Sequence, residues 1–253
     1  MAYLSADESL EPDLSLTALF LYDARSGDYV EARADHLDDP WSLYAPVFTG
    51  DGGVLVIGSG GIYRYDRAAE AWSPEHALDT ETLSIPAWNG DGTGLAYSSA
   101  QKPSALHILD LTSGEGYRLE LESEIVDIAW SGDGRLAVLT RDHTSQAAVV
   151  VTKGEATYGA SEPVQVLSHG YTQADQLNWI PGSGFLSVRV SPARESQDAP
   201  GTGRGGDIVM VDSEDGQKLV LFMSASWHFW LDQESVGIFI EEELRVFNVP
   251  WRQ

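Results

Sequence analysis

The chain has 253 residues, 43% of them apolar, and 39 acidic against 15 basic side chains give a formal charge of −24 with no cysteine anywhere. It is too long and too apolar to be disordered, and the charge opposes binding to nucleic acid or anionic membranes. The missing cysteines exclude a disulfide framework, a thiolate zinc site and a cysteine nucleophile; no apolar run nears the roughly 18 residues of a transmembrane helix, and no signal peptide is visible.

In chain order, Met1-Ala-Tyr-Leu-Ser-Ala-Asp reads as a strand, followed by strands ending at Leu19-Phe-Leu-Tyr-Asp23 and near Tyr29 to Ala32. A phrase then repeats: Val47-Phe-Thr-Gly-Asp-Gly-Gly-Val-Leu-Val, Ala87-Trp-Asn-Gly-Asp-Gly-Thr-Gly-Leu-Ala and Ala129-Trp-Ser-Gly-Asp-Gly-Arg-Leu-Ala-Val. Weaker copies follow at Asn178-Trp-Ile-Pro-Gly-Ser-Gly and Phe229-Trp-Leu-Asp-Gln-Glu-Ser. The anchoring aromatics Phe48, Trp88, Trp130, Trp179 and Trp230 are spaced by 40, 42, 49 and 51 residues. That is the period of a four-stranded propeller blade. Within each copy, Gly-Asp-Gly suits a tight hairpin, because Gly tolerates positive φ and Asp bonds back to the backbone. A third apolar run ends in Asp, as in Ile62-Tyr-Arg-Tyr-Asp66, Leu106-His-Ile-Leu-Asp110 and Ile208-Val-Met-Val-Asp212, and a more polar fourth strand follows. Helical periodicity is nearly absent. Ser191 to Gly206 reads as one loop.

The phrase apolar-Trp-Ser-x-Asp-Gly, followed by apolar-x-apolar-Asp-x-x-Ser/Thr-Gly-Glu, resembles the repeat of TolB-type, WD40-like β-propellers. The resemblance spans nearly the whole chain and is most specific at residues 83–138, although Gly50, Gly90 and Gly132 stand where the family usually has Pro. It implies an all-β propeller of four-stranded antiparallel blades forming a single domain over residues 1–253. With strands labelled a to d, the first blade holds b-c-d (1–41), four blades follow (42–82, 83–124, 125–173, 174–226), and the last holds a-b-c (227–253). Six blades are favoured, the first and last incomplete; a five-bladed ring with an N-terminal tail is the alternative. The incomplete ends suggest a domain of a larger protein.

Asp51, Asp91 and Asp133 sit in the Gly-Asp-Gly turns and read as turn residues, since calcium needs six to eight converging oxygens. The register aromatics read as packing between blades. Trp227 and His228 are expected nearer the surface than those aromatics, and His107 is expected to be structural. No histidine pair has metal-binding spacing, and no H-E-x-x-H, G-x-S-x-G or P-loop occurs, so neither a metal, a cofactor nor a catalytic residue is assigned.

In a propeller the b–c and d–a connections share one face. Here these loops vary in length, and variable loops on a rigid scaffold are where binding resides. That face collects Trp41, Arg141, Asp142, His143, His169, Tyr171, Arg194 and Arg204 as the candidate binding residues. Its scarce cations suggest a local anion-attracting spot against the −24 background. The expected function is a non-enzymatic binding or scaffold propeller with a protein or glycan partner on this face, in a periplasmic or extracellular bacterial setting, with neither nucleic-acid binding nor membrane insertion. The alternative is a propeller glycoside hydrolase, with Asp127 and Asp175 beside the inner strands as its carboxylates.

Overall fold

A computed structural model of the chain describes residues 2–6, 17–22, 29–33, 44–58, 60–78, 83–143, 145–153, 157–167, 171–192, 206–240 and 243–249. These residues form strands and turns only. The first sheet is a meander of β1 (Ala2–Ala6), β2 (Thr17–Tyr22) and β3 (Tyr29–Arg33). The second runs β4 (Tyr44–Phe48), β5 (Val54–Gly58), β6 (Gly61–Asp66) and β7 (Ala71–Ala77). The third runs β8 (Leu83–Trp88), β9 (Gly94–Ser99), β10 (Lys102–Asp110) and β11 (Glu115–Glu120). In the fourth, β12 (Glu124–Trp130), β13 (Leu136–Arg141) and β14 (Gln146–Lys153) are edged by two short strands, β15 (Tyr158–Ala160) and β16 (Val164–Gln165), both paired to β14. The fifth runs β17 (Tyr171–Trp179), β18 (Phe185–Pro192), β19 (Gly206–Asp212) and β20 (Lys218–Ala225), and the sixth holds β21 (Trp227–Trp230), β22 (Ser235–Ile240) and β23 (Glu243–Asn248). All pairings are antiparallel, the unit of a propeller blade.

The expectation of six blades is corrected by this strand inventory. Because β15 and β16 share one place beside β14, the 23 strands fill 22 places, whereas six four-stranded blades need 24. The described strands suffice for five complete blades and not for six.

By its internal contacts the chain divides into two units, Met1–Gln101 with Ile108–Gly116, and Lys102–His107 with Tyr117–Gln253. In the first unit β5 is buried on both faces, which explains its unbroken apolar run Val-Leu-Val-Ile. Val54 and Val56 pack with Leu19, Leu21 and Ala32, while Leu55 and Ile57 pack with Leu95 and Leu109. In the second unit the largest core joins Ala137 and Leu139 to Trp179, Leu186, Val188, Val209 and Val211. A smaller one joins Ile208 and Ala225 to Val236 and Ile238.

The turns follow one chemistry. In the a–b hairpins Asp51 accepts from the Gly53 amide and Asp91 from the Thr93 amide, while Asp133 takes the Ser131 hydroxyl and the Arg135 guanidinium. The next residue, Gly52, Gly92 or Gly134, adopts φ of 87°, 73° or 85°, a region costly to any side chain. In the c–d turns Asp66, Asp110 and Asp212 each accept two amides from the residues that follow. The turn reading of Asp51, Asp91 and Asp133 therefore describes what these side chains do.

The aromatics at the repeat register stitch sheets together. Trp88 Nε1–H donates to the Ala45 carbonyl at 2.6 Å, and Trp179 Nε1–H to the Ala129 carbonyl at 3.1 Å. Trp230 Nε1–H donates to Ser187 Oγ at 2.8 Å. Outside that register, Trp72 on β7 does the same to the Arg33 carbonyl at 2.9 Å. Trp179 is 7% exposed and also carries the Arg135 guanidinium 4.6 Å above its ring.

Replacing Trp179 by Phe keeps most of the packing but strands the Ala129 carbonyl, so it should cost about 1–2 kcal/mol. Trp179→Ala should cost about 3–5 kcal/mol. Urea denaturation measures both, and a Phe variant as stable as the wild type would mean that the indole N–H contributes nothing.

Candidate functional site

Two places in the second unit gather polar chemistry. The first lies on the inner strands β12, β17 and β21, where β-bulges interrupt the ladders. The pairing shifts between Ile125 and Asp127 on β12 and between Asp175 and Asn178 on β17. At the second bulge Gln176 takes φ of 54°, three residues before Trp179. Ala45 (51°) and Ile85 (46°) take the same conformation three residues before Phe48 and Trp88. Asp127 stands at the equivalent place before Trp130. Its Oδ1 accepts from the Ile128 amide at 2.9 Å and its Oδ2 from the Leu177 amide at 2.7 Å. Burial pushes its pKa up, against those amide bonds.

Asp175 is held by Arg189 in a bidentate pair, Nε to Oδ1 at 2.7 Å and Nη2 to Oδ2 at 2.5 Å. Arg189 Nη1 also donates to the Ser226 carbonyl at 2.8 Å, which Gln176 Nε2 reaches at 3.0 Å. His228 on β21 is fully buried. Its Nε2 stands 2.9 Å from Ser187 Oγ and 3.4 Å from Asn178 Nδ2, so Nε2 accepts and the ring proton sits on Nδ1. Among the described residues, neither that Nδ1 nor Gln176 Oε1 has a hydrogen-bond partner. Burial, and then the Arg189 charge, push the His228 pKa down to about 4. The expectation that His228 and Trp227 share a surface position is therefore half corrected. Successive strand residues face opposite ways, so Trp227 is 48% exposed while His228 turns into the core.

The second place is a groove of about 320 Å³ at the b–c and d–a connections around the fourth sheet. Glu120 to Ser123, between β11 and β12, form one wall, and Asp142 and Ser145, between β13 and β14, form another. Ala147 and Val149 line it from β14, with Ala160, Ser161 and Pro163 along the outer edge. In the first unit a larger cavity of about 480 Å³ lies beside the a–b and c–d turns. There Arg64 is paired with Asp51, and Asp66 caps its own turn.

The predicted binding residues fare unevenly. Asp142 lines the groove and accepts from the Ser145 amide and hydroxyl; Arg141 beside it in the chain is not part of the lining and is paired with Glu124 at 3.2 Å. Around Arg141 itself the surroundings are acidic: its charge is met by Glu124, and the groove wall beside it carries Glu120, Glu122 and Asp142. His143 is exposed on the same connection. Tyr171 begins β17. Trp41, His169, Arg194 and Arg204 lie outside the described residues. His107 is half-buried on β10, and that burial pushes its pKa down. Among the described residues no three His, Asp or Glu side chains converge to hold a metal. Sequence reasoning missed Arg189, Ser187 and Gln176, whose roles come from neighbouring sheets. It also missed Ser161 and Pro163, although a proline in a strand-like run is a legible sign of a broken edge.

No protein-family model matches the sequence, and no curated protein matches it. Solved structures do. The β-propeller domain of Swd1 from Myceliophteria thermophila is similar over 93% of this chain and 79% of its own, with a TM-score of 0.61 at 12% identity. The β-propeller domain of the trilobed protease from Pyrococcus furiosus is similar over 97% and 77%, with 0.57 at 10%. The tricorn protease is similar over 92% of this chain but only 27% of its own, with 0.61 at 13%. At such identities the likeness shows the fold alone: this chain is an all-β β-propeller of antiparallel sheets.

The buried His228 gives a pH prediction. Its folded pKa of about 4 lies below the ordinary 6.5, so the unfolded chain takes up the proton first as pH falls. Stability should drop between pH 6.5 and 4 by about 3 kcal/mol and then level off. His228→Gln should lose this portion of the slope; parallel wild-type and variant urea curves across that range would show that His228 does not titrate as described.

Proposed function

We propose that the chain is a non-enzymatic binding propeller that holds a partner on its b–c and d–a face. The observation that carries this reading is the groove on that face, formed where variable connections meet a broken outer strand. Fold alone does not choose between binding and catalysis, since propellers host both. The competing hydrolase reading needs one carboxyl free to donate a proton and a second free to attack or activate water. Asp175 is held by Arg189 through both oxygens, and Asp127 accepts backbone amides through both of its own. Side chains engaged in this way act as cross-links, Asp127 from β12 to β17 and Asp175 from β17 to β18. The resemblance of the repeat supports an extracytoplasmic bacterial setting for this role.

Two experiments separate the readings. Affinity capture on the purified chain, followed by titration with the purified partner, should give binding that Ala147→Trp abolishes by filling the groove. Asp232→Asn, on an a–b turn, should leave binding unchanged. Against a panel of nitrophenyl glycosides the protein should show no turnover. Release of nitrophenol that disappears in both Asp127→Asn and Asp175→Asn would overturn the binding reading in favour of the hydrolase.

A further inference from the structure

The fourth sheet departs from the others at its outer edge. In the second, third and fifth sheets a single fourth strand of six to eight residues, β7, β11 or β20, completes the blade. Here β15 covers Val151 to Lys153 and β16 covers only Ala147 and Ala148. Between them the chain detours through Ser161 to Pro163. Ser161 satisfies the intervening Val150, donating its amide to the Val150 carbonyl at 2.8 Å and accepting the Val150 amide on Oγ at 3.0 Å. Pro163 has no amide to add to a ladder. The detour leaves Ala147 and Val149 lining open space, the floor of the groove.

We propose that this groove takes an extended segment of a partner protein carrying lysine or arginine. This deepens the binding reading above and rests on it. Three features select the occupant. The groove, at about 320 Å³, is at the small end of ligand sites and accommodates a side chain or short segment. Among the described residues its lining carries Glu120, Glu122 and Asp142 and no cation; Arg141 is paired with Glu124, Arg118 with Glu120, and Asp142 with Ser145, which leaves Glu122 as the unengaged carboxylate of an acidic lining. Its floor is apolar, from Leu121, Ala147 and Val149. An aliphatic stem over an apolar floor with a charged head among carboxylates is how lysine and arginine side chains partition.

Two rival occupants fit less well. A bare metal ion needs converging oxygens, and among the described residues no such group of three exists, so these carboxylates form a strip. A glycan would find no aromatic ring to stack on among the described lining residues. Glu122 is exposed and makes no side-chain bond among the described residues, so its carboxylate is free for an incoming cation.

The test is fluorescence anisotropy on the whole chain with three labelled probes. These are a nonapeptide alternating Ala with Lys and Arg, the same peptide with Glu in place of the cations, and a neutral tetrasaccharide. The basic peptide should bind, more weakly as salt rises from about 50 to 500 mM. Glu122→Lys, on an exposed side chain, should weaken it about tenfold or more, and Ala147→Trp should abolish it. Glu234→Lys makes the same charge change on a distant exposed turn and should leave affinity within about twofold. Equal losses for Glu122→Lys and Glu234→Lys would reduce the effect to general attraction by an acidic surface and overturn the proposal. Tetrasaccharide binding lost in Ala147→Trp, with no basic-peptide binding, would overturn the peptide assignment while leaving the groove as the binding site. Failure of all three probes at about 1 mM would overturn the peptide assignment, and capture of a partner insensitive to Ala147→Trp would overturn the site as well.

Discussion

A buried indole N–H must find an acceptor, and in this chain it finds one on the preceding sheet. Trp88, Trp179 and Trp230 donate to atoms 43, 50 and 43 residues earlier. The donor is fixed to the end of an inner strand, and the acceptor belongs to an earlier sheet. The bond therefore sets how one blade meets the last. The cost of leaving an N–H or a carbonyl unpaired in such a place exceeds the modest gain of making the bond. Indole stitches thus act chiefly by excluding other blade positions.

The same logic explains the bulges. Ala45, Ile85 and Gln176 hold a left-handed conformation three residues before an aromatic, which for a branched side chain such as Ile85 is a costly place to be. The Ala45 carbonyl freed by its bulge is the acceptor of Trp88. Asp127 occupies the equivalent position on β12, and its carboxylate bridges to the Leu177 amide on β17. Inner-strand carboxylates that look catalytic in sequence are thereby committed to joining strands.

The fold was legible because its signals are local and repeated. Gly-Asp-Gly requires one left-handed glycine and one carboxylate in reach of amides two residues on, and a sequence displays both. The aromatic period was visible for the same reason. The blade count was not, because whether a sheet has three or four strands depends on what pairs at its edge. The candidate site was legible only in part. Arg141 and Asp142 stood out in sequence because they sit on a variable connection, but the pairing of Arg141 is set by a residue the local sequence does not show. Glu124 neutralises Arg141 from the opposite strand, across 17 residues of sequence. His228 was misplaced next to Trp227 because adjacency in sequence says nothing of which face of a strand each residue takes.

The large negative charge now divides into parts with different physics. Much of the aspartate is turn grammar: Asp66, Asp110, Asp212, Asp215 and Asp232 each accept amides of their own turns. Hydrogen bonds from Thr49, Thr93, Arg135 and Glu234 hold Asp51, Asp91, Asp133 and Asp232 below the ordinary carboxylate range, Asp51 at about 2. A folded pKa below the unfolded one means these turns stabilise the fold above the ordinary range and lose that contribution only as pH falls through it. Such aspartates stay charged, but their oxygens are occupied. Among the glutamates, Glu31, Glu120, Glu124 and Glu243 are paired with arginines, and exposed ones such as Glu122 are what remain for a partner. Acidity as a bulk number opposes nucleic acid; the few carboxylates without internal work, Glu122 foremost, are where that acidity can become recognition.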